Sequence, residues 1–495
     1  MKRTKFIAVL SSFSLLGCLF SCTGNSTNNE NNDLVRDENG SIVYNNVELN
    51  LWSVTTGDDA QTQDAIISNF NSLYEGMIHV NSKHISRYDL ENQLSSTMTF
   101  DKKNAPDMLF THGHRTNEYI QNEWIVPIED YYTLSNTPLD KSDFASSLLE
   151  TVSYQNKMYS TPIDVHSTMI EIRTDILAKN GLSIPSNYNE LVDVCTKATE
   201  LAEKGQLWIR GENSEGYASN EWRKATTADP YTPFPIGYGD MWVHEFLGYT
   251  AAYQNGGKFL ENDGSGMPGW NTKEAADGLQ VLRDWIFPSE TSRNKHQLSM
   301  DYGSEYDVGI EPFRSGKSIF KLNGPWVYKT DLEVFSTMLR EDGGDLNITT
   351  RSLSNMLAKD TSKEYASKIK GEGHALMLMS TVESTTKRCA SSIFADYMAY
   401  YSGIDWARRG HIPAVNSVSN SSEFKGDADY EKYIKYWGNS NDYVVYGPTQ
   451  YYSYIDTYFK QAVQKSMSSQ FKNKDIKGIL DSEYKDCKAY ISLYA

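Results

Sequence analysis

Residues 47–81 read VELNLWSVTTGDDAQTQDAIISNFNSLYEGMIHVN, and this stretch decides the class of fold. Val47, Leu49 and Leu51 alternate with Glu48 and Asn50, a period of two that predicts a half-buried strand running into Trp52. Ile66, Ile67, Phe70, Leu73 and Tyr74 then share one face at helical spacing, and Met77 to Asn81 returns as a second strand. Strand, helix, strand is the opening unit of an α/β protein.

The same alternation continues outward from that unit. Ala105-Pro106-Asp107-Met108-Leu109-Phe110 reads as a turn feeding a short buried strand, and Val126 to Asp130 as an extended segment, because Pro127 cannot lie inside a helix. Asn187 with Glu190, and Asn271 with Glu274, have the spacing of capping boxes at helix starts. The second start opens a helix carrying Ala275, Leu279, Leu282 and Ile286. A helix from Ser384 is expected to face Ala390, Ile393, Phe394, Tyr397, Met398 and Tyr401 inward, and another carries Ile455, Tyr458, Phe459, Ala462 and Val463. Residues 205–240 show no clear period and read as an elaboration of loops. There are no internal repeats, and no second linker divides the chain.

The composition excludes several classes. With 495 residues, 39% of them hydrophobic, a large core is available. Lys and Arg total 47 against 64 Asp and Glu, a formal charge of −17, and the basic residues are scattered among acids, which argues against a nucleic-acid partner. Lys2, Arg3 and Lys5 precede an apolar stretch from Phe6 to Phe20, the pattern of a secretory signal over residues 1–21. Loss of those three basic groups would take the formal charge from −17 to −20. Beyond the first 20 residues no apolar run approaches the roughly 20 needed to cross a bilayer.

Cys18 and Cys22 close the signal, each in a sequence resembling the bacterial lipobox. Cys22 is the expected lipidation site, with Cys18 the alternative, since the polar run Thr23 to Asp33 follows Cys22 at once as part of a tether over 22–44. Cys195, Cys389 and Cys487 are far apart and odd in number, and each is expected as a buried free thiol on a helix.

No phosphate-binding glycine loop, GxSxG elbow or SxxK pattern occurs. Of nine histidines only His112 and His114 are close in sequence, too little for a zinc motif, so neither metal nor cofactor is expected. Carboxylates abound, but no pair is marked out as a glycosidase acid and base.

Several landmarks do fall in a specific order. Ala105–Phe110 precedes Trp124-Ile125-Val126-Pro127-Ile128, then Lys157-Met158-Tyr159-Ser160-Thr161-Pro162-Ile163-Asp164, then Asn180-Gly181-Leu182 with Pro185 and Glu190-Leu191. Phe313-Arg314-Ser315-Gly316-Lys317, Leu322-Asn323-Gly324-Pro325-Trp326 and Gly410-His411-Ile412-Pro413-Ala414 complete the series. From about Val47 to the end the chain resembles the family 1 extracellular solute-binding proteins, the lipoprotein receptors of bacterial carbohydrate ABC importers. Two features depart from the smaller members: Glu171-Ile172-Arg173-Thr174-Asp175 after the first crossing, and the 205–240 insertion.

The resemblance implies two discontinuous α/β lobes of the class II periplasmic-binding-protein type, joined by a multi-strand hinge. One lobe would comprise 45–164 with 375–410, and the other 165–374 with 411–495. It implies a non-catalytic monomer, anchored by lipid at the extracytoplasmic face of the cell membrane. Such a receptor binds an oligosaccharide or related polyol between the lobes and hands it to a permease with its ATPases. A secreted glycoside hydrolase and a surface adhesin are the alternatives. Trp326 is the expected stacking platform; His114, Arg115, Asp164 and His166 are expected polar contacts. Trp242, His244, His374, Tyr451, Tyr452 and Tyr454 are further candidates.

Overall fold

The computed structural model describes residues 33–494 except 215, 227–228, 230, 238–240, 300–309, 329–330, 332–347, 429, 431–433, 438–441, 446 and 448. The signal, both candidate lipidation cysteines, the tether through residue 32 and the Tyr238-Gly239-Asp240 turn lie outside the described residues.

β1 (Val47–Ser53), α1 (Gly57–Leu73) and β2 (Ile78–His84) form the expected unit, the two strands parallel with Val47 opposite Ile78. Leu49 and Leu51 are fully buried against Ile66, Ile67 and Phe70 of α1. Leu73 departs from its expected face and is 41% exposed, because the helix ends there and Tyr74 turns in to stack on Phe70 at 4.5 Å. α2 (Arg87–Phe100) begins at Ser86, whose hydroxyl accepts the Asp89 N–H. β3 (Met108–His112) is the buried strand foreseen after Pro106 and runs parallel beside β1.

β4 (Ile125–Val126) stops at Pro127, which caps α3 (Ile128–Leu134). The extended segment read through Asp130 therefore ends three residues early. A proline needs no N–H at a helix start, and Glu129 and Asp130 sit in a first turn where the helix dipole favours acids. β5 (Ser160–Pro162) closes this first part of the chain.

β6 (Asp164–Val165) leads away to β7 (Met169–Arg173), the middle strand of a second sheet. α4 (Tyr188–Glu203) has the cap read from sequence: Asn187 Oδ1 accepts the Glu190 N–H, and Glu190 accepts from the backbone of Ser186. β8 (Trp208–Glu212) and β9 (Ala218–Lys224) form an antiparallel hairpin inside the region read as loops. Aromatic and basic side chains hold it: the Arg210 guanidinium lies 3.8 Å over the Trp222 ring, and Lys179 sits over Trp208 and Trp222.

α5 (Met241–Tyr253) packs on α6 (Lys273–Ile286). α6 starts one residue later than expected, because the Thr272 hydroxyl takes the Ala275 N–H at 3.1 Å while the Asn271 amide reaches Asp481 at 2.9 Å. β10 (Phe320–Asn323) and β11 (Ile348–Ser352) flank β7 antiparallel on either side.

After β12 (Ile369–Lys370) the chain returns as β13 (His374–Met379), which inserts between β3 and β4. The first sheet thus has the order β2-β1-β3-β13-β4, with β5 also on β13. α7 (Thr385–Asp396), capped by Ser384, packs on this sheet and runs into a π turn over Tyr397–Tyr401. That wider turn rotates the face, so Tyr401, expected inward, is 37% exposed.

β14 (Ile412–Pro413) pairs with β6, and β15 (Tyr443–Val444) with β12. α8 (Tyr452–Met467) buries Ile455, Phe459, Ala462 and Val463, and α9 (Ile476–Tyr494) packs along it. The chain therefore passes three times between two sheets, at Ile163–His166, Lys370–His374 and His411–Ala414, and the helices sort into two lobes around them. Cys195, Cys389 and Cys487 are free, buried and helical, as expected. Among the described residues no helix is long and apolar enough to cross a membrane.

Candidate functional site

The three crossings carry a cluster built by strand alternation. Side chains two apart on a strand face the same way. Asp164 and His166 therefore share a face of the first crossing, Glu372 and His374 share one on the second, and His112 and His114 extend the end of β3. Pairing aligns these faces. His112 lies opposite His374, His166 exchanges both backbone hydrogen bonds with Glu372, and His411 is brought beside His166, ring centroids 5.2 Å apart.

Glycines occupy the reverse side. The Gly113 N–H donates to the Gly373 carbonyl at 2.7 Å, and a Cβ on Gly373 would lie 2.2 Å from the backbone oxygen of Asp164. Gly373→Ala should accordingly push the first and second crossings apart and cost about 1–3 kcal/mol in urea unfolding. An unchanged midpoint would show that the crossings can shift freely.

Asp164 is the hub. Its carboxylate accepts from His166 Nδ1 at 3.0 Å, His374 Nδ1 at 2.8 Å, the His374 backbone N–H at 3.1 Å and Trp406 Nε1 at 2.5 Å. Burial acts to raise this carboxyl. The charges of His374 and His411 and the histidine hydrogen bonds outweigh it and hold the group well below the ordinary carboxylate range.

The histidines divide. Burial lowers His112 and His114 well below the usual value and brings His166 to about 4, the last against the opposing pull of Asp164. His411 goes the other way. Burial acts to lower it, but Asp59, whose Oδ2 lies 3.2 Å from Nε2, and Asp164 raise it.

Charged groups of both lobes close over the cluster. Arg87 and His114 approach Glu372 Oε1 at 3.3 and 3.4 Å, and His112 Nε2 is 3.4 Å from Glu372 Oε2. From α5, Glu245 meets Lys370 and Lys460, each at 3.2 Å, and its carboxyl is held well below the ordinary range, since those cations overcome the effect of burial. The Tyr452 ring stacks on His114 at 4.1 Å. Arg115 pairs with Glu91 and Glu118 and donates to Ser453 Oγ, each at 2.7 Å, tying the end of β3 to α8.

The structure thus gathers Asp164, His166, His374, His114, Arg115 and Tyr452 of the residues read from sequence. Trp326, half-buried, presents its ring edge-on to His166 at 5.6 Å and nearly parallel to His411 at 6.4 Å. His244 is buried in α5. Trp242 lies in the first turn of α5, its side chain outside what is described. Tyr451 precedes α8, its N–H bonded to the Thr449 hydroxyl, and Tyr454 packs on Tyr490 of α9.

Sequence reading passed over Arg87, Glu245, Lys370, Glu372, Trp406 and Lys460 and gave no role to His112 or His411. A usable signal was present. Four segments carry a polar residue two positions before a histidine, His112-Gly113-His114, Asp164-Val165-His166, Glu372-Gly373-His374 and Arg409-Gly410-His411, each separated by a small or apolar residue. Glu245 also carried a signal, as the single acidic or basic residue apart from His244 in the largely apolar stretch Met241–Tyr253.

Residues 65–432 match the family described as Bacterial extracellular solute-binding protein. Similar solved structures include the GacH receptor of Streptomyces glaucescens, crystallised unliganded and with acarbose. It is 14% identical, with TM-score 0.65 over 89% of this chain and 98% of that one. The sugar-binding protein MalE of Xanthomonas citri is 13% identical, with TM-score 0.66 over 90% and 99%. Maltose-bound MalE3 of T. maritima is 14% identical, with TM-score 0.64 over 90% and 100%. Such identities speak for the fold, and the family match for descent. Two sheets joined by three crossings, with the polar cluster at their junction, are what this matched segment builds, and the chain belongs to the bacterial extracellular solute-binding protein family.

Proposed function

We propose that the protein is a non-catalytic receptor that binds an oligosaccharide or related polyol between its lobes and delivers it to an ABC importer. The observation that carries this reading is the convergence of two sets of side chains over the crossings. Arg87, His114 and Arg115 come from the side of the first sheet, and Glu245, Trp326 and Tyr452 from that of the second. Sugars offer apolar C–H faces and a ring of hydroxyls. Trp326 and Tyr452 can cover the first, while the carboxylates, cations and imidazoles can partner the second. Acarbose and maltose, in the complexes of the similar proteins, support that ligand class.

In the closed arrangement these groups pair with one another across the cleft, as Arg115 does with Ser453. A ligand touching both sides would favour closure by replacing those pairings, a population shift of the hinge type. The lobes would be 45–164 with 375–410, and 165–374 with 411–495. The mature chain would be held at the outer face of the membrane through lipid on Cys22, or on Cys18, and would present its closed form to a permease with its ATPases as a monomer.

The test is thermal unfolding of the soluble form beginning after Cys22, screened against oligosaccharides and polyols. A ligand at 100 times its Kd should add about 2.7 kcal/mol of stability, with the sugar recovered intact. Trp326→Ala should weaken that ligand about 30-fold, roughly 2 kcal/mol, while leaving the unliganded midpoint unmoved. No shift with any sugar, or a cleaved one, would overturn the reading.

A further inference from the structure

The histidines at the crossings have a second property that sugar recognition does not require. His112, His166 and Glu372 are all buried, and each places a ligand atom within 4.8 Å of the other two. His112 Nε2 and Glu372 Oε2 are 3.4 Å apart, close to the roughly 3.3 Å edge of a tetrahedron with metal–ligand bonds near 2.05 Å. His166 already commits Nδ1 to Asp164 at 3.0 Å, which leaves Nε2 as its available nitrogen. His374 commits Nδ1 to the same carboxylate at 2.8 Å, and its ring centroid lies 4.8 Å from that of His166 and 5.1 Å from that of His112.

A carboxylate that receives one imidazole N–H, and so fixes the other nitrogen as a lone pair, is the usual outer support of a metal-bound histidine. Here Asp164 supports His166. Strand pairing holds the backbone beneath them: His112 and His374 are cross-strand partners, and His166 and Glu372 exchange both backbone hydrogen bonds. The donors therefore sit on hydrogen-bonded strands.

We propose that His112, His166 and Glu372 form a three-ligand binding site for a divalent transition-metal ion of the zinc class. The donor chemistry selects the class, because imidazole nitrogens with one carboxylate suit zinc, cobalt, nickel or copper and not calcium or magnesium. The ion uses Glu372 Oε2, since Oε1 faces Arg87, His114 and Lys370. Glu245, ion-paired to Lys370, offsets part of that positive charge. Glu372 belongs to one crossing and His166 to another, so a bound ion pins two of the three crossings to the end of β3. Burial of all three ligands means that the ion enters with the lobes open. The site stands on these distances alone and does not depend on the identity of the sugar.

The experiment uses the soluble form beginning after Cys22, stripped with chelator and titrated with Zn²⁺ and Co²⁺ alone. One equivalent should bind, and the cobalt form should show visible d–d bands without thiolate-to-metal charge transfer. His112→Gln should weaken binding at least tenfold and towards 100-fold, whereas His79→Gln, on the exposed side of β2, should not change it. Unfolding in chelator checks that the variants fold, and the wild-type cobalt spectrum reports the ligand set without any variant. Binding of equal strength in wild type and His112→Gln, a thiolate band, or no stoichiometric uptake would each overturn the site. A sugar shift that persists in chelator while metal uptake fails would remove this proposal and leave the receptor reading standing.

Discussion

Asp164→Ala should destabilise the protein by about 3–5 kcal/mol, among the largest losses available to a single substitution. Its carboxylate receives four donors, from His166 Nδ1, His374 Nδ1, the His374 backbone and Trp406 Nε1, and all of these residues are buried. Alanine would strand those donors where water cannot replace the lost acceptor. The loss is also strategic: the four donors come from all three routes past the hinge, namely the first crossing, the second, and the segment leading into the third. Asp164→Asn keeps one acceptor oxygen and should cost less than alanine. Urea unfolding at pH 7 measures both, and an alanine variant within 1 kcal/mol of wild type would show that Asp164 does not hold the crossings together.

Protonation of buried histidines should cost the metal-stripped protein stability in mild acid. His112, His114 and His166 have folded values below their unfolded one, so the unfolded chain binds protons more readily. The stability they contribute is complete above pH 6.5 and is lost as the pH falls towards the folded values. His166 alone, at about 4 against 6.5, accounts for on the order of 3 kcal/mol lost by pH 4. His411, raised by Asp59 and Asp164 against burial, acts in the opposite sense, as do Glu171, Glu372 and Asp456, whose carboxyls burial raises.

The surroundings agree with that sign. Arg115, Arg87 and Lys370 oppose a proton on His114 and Glu245 only partly offsets them, while Asp164 pulls the other way on His166. Asp164, depressed in the fold, keeps its own contribution until the pH is below the carboxylate range. Unfolding in chelator at pH 7.5 and 4.5 should therefore show that His166→Gln loses less stability than wild type between those values. The same loss in wild type and His166→Gln would sink the assignment of a neutral buried His166.

The elements legible in the sequence are those whose apolar residues alone set their period. β1, α1 and β3 came directly from Leu49, Leu51, Ile66, Phe70 and the Pro106 turn. The hairpin of β8 and β9 did not, because its cohesion comes from Arg210 and Lys179 lying over tryptophan rings, and a charge on an aromatic face leaves no apolar stripe. α3 escapes the reading of Val126 to Asp130 as extended because Pro127 bars only a helix interior and here precedes the first turn.

Of the residues the family resemblance pointed to, Trp326, Asp164, His166, His374 and His114 lie near the crossings. The resemblance could not reveal that His112 and His411 join them, since their proximity depends on which strands pair and in what register. A one-residue slip of β13 on β3 would turn His374 and Glu372 to the opposite face.

The cysteines have a practical consequence. Cys195, Cys389 and Cys487 are buried, and burial pushes the last two up to about 12, where essentially no thiolate exists at neutral pH. The body of the protein is thus silent towards maleimide chemistry while folded. New cysteines at two strongly exposed positions, Phe100 at the end of α2 (85% exposed) and Leu493 near the end of α9 (77% exposed), would be the ones to take dye. Energy transfer between such labels would follow opening and closing one molecule at a time, without first removing a native sulfur.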